Sequence, residues 1–115
     1  MRVMLRSKIH NAIVTESNVD YIGSITIDSD LLKKVDMWNG EAVMVVSTTT
    51  GARLETYIIP GKAGSGEVCM NGAAAHLIKA GEEIIIMAFE LTDIPIKPKI
   101  ILVGENNKFI KYLSK

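Results

Sequence analysis

Cysteine is nearly absent from this 115-residue chain. Cys69 stands alone, so no intrachain disulfide and no CxxC metal or redox pair can form, and a buried, inert thiol is expected. Histidine is almost as scarce: His10 and His76 lie far apart with no third ligand at metal spacing, and no metal is expected. An excess of either charge is missing too. Thirteen Lys and Arg offset thirteen Asp and Glu, which leaves no basic footprint for nucleic acid and no polybasic anchor for a membrane. No apolar run approaches the ~20 residues that span a bilayer. The opening Met1-Arg2-Val3-Met4-Leu5-Arg6 is too short, and too soon broken by Ser7-Lys8, to be a signal peptide, so a cytoplasmic location is expected. Gly61 to Gly66 lacks the GxxxxGK[ST] spacing of a phosphate loop.

What remains is aliphatic. Hydrophobic residues make up 48% of the chain but aromatics only 5%, so the core must come from Val, Ile, Leu, Ala and Met, and the β-branched share favours strands. The length predicts one domain over residues 1–115, mainly β with one or two short helices. Strands are expected over 2–15 with a bend at Asn11-Ala12, through Ser24 to Asp28, over 41–47 and 52–59 around a turn at 48–51, and over 67–70, 83–89, 100–103 and 109–113. Ser29 or Asp30 is expected to cap a short helix through Val35 and Met37, with Trp38 packed against the fold. Pro60 is expected to close its strand, and the small-residue loop 61–66 to be flexible. Arg53, Glu55 and Tyr57 should share one face of their strand, with Leu54 and Thr56 on the other. A second helix is expected after Asn71-Gly72-Ala73-Ala74, where small residues admit a ligand to the backbone and opening amides could hold a carboxylate.

One stretch carries distinctive chemistry, Tyr21-Ile22-Gly23-Ser24-Ile25-Thr26-Ile27-Asp28. A serine hydroxyl can attack the preceding glycine carbonyl where the backbone is held strained, giving an ester in place of the amide. Elimination then leaves dehydroalanine at position 24, and addition of water with loss of ammonia yields a pyruvoyl group on a new N-terminus. The dipeptide alone says little, since Gly-Ser is common in turns. Gly64-Ser65 repeats it within a small-residue loop, whereas Ile25 and Ile27 give Ser24 a strand setting.

Four separated motifs in one register carry a resemblance. Met4-Leu5-Arg6-Ser7-Lys8-Ile9-His10, Tyr21 to Asp28, Gly51-Ala52-Arg53-Leu54-Glu55-Thr56-Tyr57 and Asn71-Gly72-Ala73-Ala74-Ala75-His76 together resemble the pyruvoyl-dependent aspartate decarboxylases, as far as about Phe89. The resemblance implies a double-psi β-barrel, a homotetramer with sites between neighbouring subunits, and self-cleavage into residues 1–23 and 24–115. It implies decarboxylation of L-aspartate to β-alanine, for pantothenate synthesis, by a covalent pyruvoyl group derived from Ser24 that forms a Schiff base with the substrate amine. Tyr57 is then the proton donor, and Lys8, Arg53, Thr56, Gly72, Ala73 and Ala74 contact substrate. Gly23, Tyr21, His10 and Asn71 support processing.

The residues agree with an acidic substrate. Two cations facing an amine-binding carbonyl suit a substrate with two carboxylates, one held bidentately by arginine. A phenol, with its reference pKa of ~10, keeps its proton at neutral pH. Ile22 and Val46 depart from the pattern of some members, at positions that do not react. Two alternatives stay open at this point: a non-catalytic barrel that binds a ligand with Gly23-Ser24 intact, and a pyruvoyl decarboxylase of a cationic amino acid.

Overall fold

The structure, a computed structural model, describes residues 1–113. Residues 114 and 115, the end of the expected 24–115 fragment, lie outside the described residues. Among the described residues nine strands form: β1 (Arg2–Ile13), β2 (Glu16–Asn18), β3 (Ser24–Asp28), β4 (Ala42–Ser47), β5 (Arg53–Gly61), β6 (Val68–Asn71), β7 (Glu83–Thr92), β8 (Lys99–Val103) and β9 (Phe109–Tyr112). Two short helices, α1 (Ser29–Val35) and α2 (Ala74–Leu77), interrupt them. The strands join in one mixed sheet in the order β2-β6-β3-β5-β4-β7-β1-β8-β9. This is the mainly β, double-psi barrel architecture that the resemblance implies.

Alternation closes the barrel around its core. Ile25 and Ile27 of β3, Val43 and Val45 of β4, Ile84 and Ile86 of β7, and Ile101 and Val103 of β8 turn inward with Ile9, Ile58, Val68 and Met70 into one buried cluster. The Ile and Val side chains among them are stiff and β-branched and pack well on a pleated surface, and burying each contributes about 1.5–3 kcal/mol. β1 is long enough to pair with both β7 and β8, and its register slips between Ile9 and Ala12. Asn11 sits there at φ 69°, which bears out the expected bend.

Several boundaries differ from expectation. The cap of α1 is Asp28, one residue before Ser29, and its carboxylate accepts from the Asp30 amide. Pro60 does not end β5. That strand pairs with β4 as far as Tyr57 and with β3 from Ile58 to Gly61, so Pro60 lies beyond the β4 ladder and its missing N–H is not needed there. Trp38 is 72% exposed, not packed, and its indole N–H donates to Asp36. The loop 61–66 is tied down: the Gly64 and Gly66 amides donate to the two oxygens of Asp28 at 3.0 and 2.9 Å, and Lys108 Nζ donates to the Gly64 carbonyl. Sequence composition shows the small residues of such a loop but not the distant carboxylate that holds it.

Candidate functional site

β3 begins at Ser24, and the chain passes there from surface to interior. Tyr21, Ile22 and Gly23 are exposed, Ile22 to 79%, while Ser24 is 0% exposed. The antiparallel ladder between β3 and β6 sets Ser24 opposite Asn71. Asn71 is itself buried, and its Nδ2 donates to Ser24 Oγ at 2.9 Å and to Thr26 Oγ1 at 3.0 Å. A hydroxyl oxygen that accepts from an amide keeps its own proton free to leave, and the donor stabilises negative charge as that proton goes.

Gly72 sets the other side of the bond. Its φ is +70°, and a Cβ there would come within 2.7 Å of Gly23 Cα and 2.8 Å of Gly23 N. Only glycine fits a left-handed residue pressed against another backbone. Gly23 itself lies outside the left-handed region, so the expected strain at Gly23 is replaced by a close backbone approach from Gly72. Asn18 completes the support: its carbonyl accepts from the Gly72 amide at 2.8 Å, and its side chain accepts from the Asp20 amide at 3.1 Å. The sequence reading missed Asn18 and Thr26. The Asn18 to Asp20 spacing of an Asx turn could have pointed to the first.

Tyr57 lies on the neighbouring strand. β3 and β5 run parallel from the pair Ile25 and Ile58, so Ser24 and Tyr57 each immediately precede that rung on neighbouring strands. Tyr57 is 40% exposed. Arg53, Glu55 and Tyr57 share the exposed face as expected, and Thr56 is half-buried with Leu54 on the opposite one. Of the three expected backbone contacts, the Gly72 amide is already bonded to Asn18. Ala73 is exposed and Ala74 half-buried where α2 opens.

The two cations are not brought to Ser24 within one chain. Lys8 pairs with Met87, Met87 with Met44, and Met44 with Glu55, so three inter-strand steps, roughly 14 Å along the sheet, separate Lys8 from β5. Arg53 is four residues from Tyr57, roughly 13 Å along the strand. Among the described residues neither cation enters an ion pair; the pairs are Met1 with Asp93 and Arg6 with Glu41. His10 is half-buried beside Leu102 of β8, and its Nδ1 is buried without a partner among the described residues. Tyr21 contributes its carbonyl, 2.9 Å from where a Gly72 Cβ would stand.

Cys69, opposite Thr26 on β6, is buried. Burial pushes its thiol up to about 11, only partly offset by the Thr15 hydroxyl, with Glu67 and Glu16 adding to the rise. The burial is as expected. No group of His, Cys, Asp and Glu among the described residues could hold a metal ion, and no described helix is long and apolar enough to cross a membrane.

Comparison with known proteins points one way. The family model described as aspartate decarboxylase matches residues 1–110, so the match continues past Phe89, where the sequence reading ended it. The chain is 52% identical to an aspartate 1-decarboxylase of Desulfitobacterium hafniense, over 96% of this chain and 90% of the relative. It is 48% identical to the enzyme of that name from Bacillus velezensis and 47% to that from Staphylococcus aureus, each over 98% of this chain and 92% of the relative.

Proposed function

The chain belongs to the aspartate decarboxylase family, and from that membership we propose that it converts L-aspartate to β-alanine and carbon dioxide for pantothenate synthesis, using a pyruvoyl group made from its own Ser24. One observation carries the self-processing: a fully buried serine hydroxyl, held by Asn71, follows a glycine whose backbone is seated against Gly72. These residues fit the group they would generate.

Processing begins when Ser24 Oγ attacks the Gly23 carbonyl carbon. The new C–O bond replaces the C–N bond, and the hydroxyl proton ends on the amine of residue 24. Loss of the residue 24 Cα proton breaks the Cβ–O bond and releases Gly23 as a carboxylate. Water then enters and ammonia leaves. The finished group supplies an electron-withdrawing carbonyl that accepts the substrate amine.

The rest of the reaction falls to side chains. Arg53 clamps one substrate carboxylate through its planar fork, and Lys8 adds the second positive charge. Tyr57, one residue before the rung that pairs Ile25 with Ile58, returns a proton from its phenol to the carbon left by carbon dioxide. Thr56 and the backbone of Gly72, Ala73 and Ala74 contact substrate, and His10 supports the geometry near the cut bond. The distance of Lys8 and Arg53 from Ser24 along one sheet supports a pocket completed by a neighbouring copy in a homotetramer. The charge balance and sequence favour a cytoplasmic enzyme with no nucleic-acid or membrane partner.

The test is the denatured mass of the purified protein, followed by an aspartate assay. Fragments 1–23 and 24–115, the second lighter by one ammonia than its serine form, together with β-alanine production, are expected. A chain that stays whole after prolonged warming would overturn self-processing; cleavage with activity only on a cationic amino acid would overturn the substrate.

A further inference from the structure

Asn71 has two amide hydrogens and spends both on hydroxyls. One goes to Ser24 Oγ and the other to Thr26 Oγ1. The terminal torsion of an asparagine is broad, so a carboxamide with one partner can turn, while one fixed at two points cannot turn without losing both. Thr26 is well built for the second point. It lies on β3 between β5 and β6, half-buried, with Cys69 opposite it on one side and Ile59 on the other. Its methyl is packed over Gly61, where an added Cβ would come within 3.1 Å of Thr26 Cγ2. With the methyl seated towards β5, the stiff χ1 of a β-branched residue aims the hydroxyl at β6 and Asn71.

We propose that Thr26 is a positioning residue for self-cleavage: its hydroxyl fixes the Asn71 carboxamide so that this amide donates to the attacking oxygen of Ser24. The inference rests on the self-processing proposed above. Thr26 does not touch the bond that breaks, and acts only through Asn71. The Gly61 contact explains why threonine serves better than serine, which has the hydroxyl without the methyl that aims it.

The experiment follows the precursor by intact mass over time for wild type, Thr26→Val, Thr26→Ser, Asn71→Ala and the double variant Thr26→Val with Asn71→Ala. Valine keeps the shape and removes the acceptor, so cleavage should slow roughly three- to tenfold, the worth of one hydrogen bond. Serine should restore part of that rate. The double variant should cleave no more slowly than Asn71→Ala alone, because Thr26 has nothing left to orient. A role confined to stability would instead slow the double variant further, and serine would fail to rescue; either result overturns the inference. So does a Thr26→Val precursor that cleaves at the wild-type rate, which leaves self-processing intact. A wild type that never cleaves removes the premise and the inference together.

Discussion

The chain contains two Gly-Ser pairs, and their surroundings differ in an instructive way. Gly64-Ser65 is the more visibly restrained. Gly64 sits at φ +78°, its amide is held by Asp28, and its carbonyl accepts from Lys108 Nζ. If a rigid backbone and a polarised carbonyl were enough for attack, this pair would qualify. Yet Ser65 is exposed, and its hydroxyl accepts from the Glu67 amide in a local turn. At Gly23-Ser24 the glycine is exposed and not left-handed, but the serine is fully buried, follows a backbone pressed by Gly72, and meets a side-chain donor. The contrast separates strain from environment: what marks Ser24 is the buried setting of its oxygen beside a side-chain donor, where a developing charge is worth most to stabilise.

The sharpest way to break this comparison is to remove each hydroxyl in turn. Ser24→Ala should abolish cleavage completely, whereas Ser65→Ala should leave the fragment pattern and rate unchanged, both read by denatured mass. Cleavage at Gly64 in any variant would mean that restraint alone suffices. Next in size is Gly72→Ala. A Cβ at 2.7 Å from Gly23 Cα must displace that backbone, and alanine at positive φ is strained as well. The variant should lose on the order of 1–3 kcal/mol in thermal or denaturant unfolding and cleave far more slowly. Normal cleavage with lowered stability would show that the Gly72 contact holds the fold but does not shape the bond.

How much of this was legible depends on range. Alternation of Ile, Val and polar residues announced the strands, because a pleat needs no distant partner to repeat every second residue. The shared face of Arg53, Glu55 and Tyr57 followed from the same rule and is found. The rigidity of loop 61–66 was not legible: its glycines read as flexible, and the carboxylate that ties them stands at Asp28, more than thirty residues earlier. Large aromatics usually pack, which is why Trp38 is expected to, but it is 72% exposed in this chain. The resemblance assigns roles to Ser24 and Asn71, whereas Thr26, inside the same motif, gains one only from the β3 and β6 register that sets it diagonal to Asn71.

Asp28 gives an effect confined to stability, and it sharpens the comparison from the other side. Its buried carboxylate accepts from the amides of Asp30, Gly64 and Gly66. Asp28→Asn replaces one accepting oxygen with a donor that faces an N–H, which should cost about 1–3 kcal/mol of stability. The expected outcome is a less stable protein that still cleaves only at Gly23. New cleavage at Gly64 on loosening the loop would show that restraint had been suppressing the second pair.

The mildest effect concerns a carboxylate remote from both pairs. Glu82 accepts from the Ser47 hydroxyl at 2.6 Å and from the Lys79 amide at 2.8 Å, and the Ser47 bond first, then the Lys79 amide, holds its carboxyl below the usual value of 4.5. A depressed value means the folded chain binds fewer protons than the unfolded one, so the stabilisation is present above the ordinary carboxylate range and is lost as pH falls through the folded value. Thermal midpoints of wild type and Glu82→Gln should therefore differ above the ordinary carboxylate range and converge as pH falls below it. The cleavage site should not change at any pH, because a tie that stabilises a distant turn gives neither serine oxygen a donor. A midpoint difference that stays constant across this range would mean that the Glu82 bonds do not depend on its charge, and a shift in the cut site would reinstate general rigidity as the cause of cleavage.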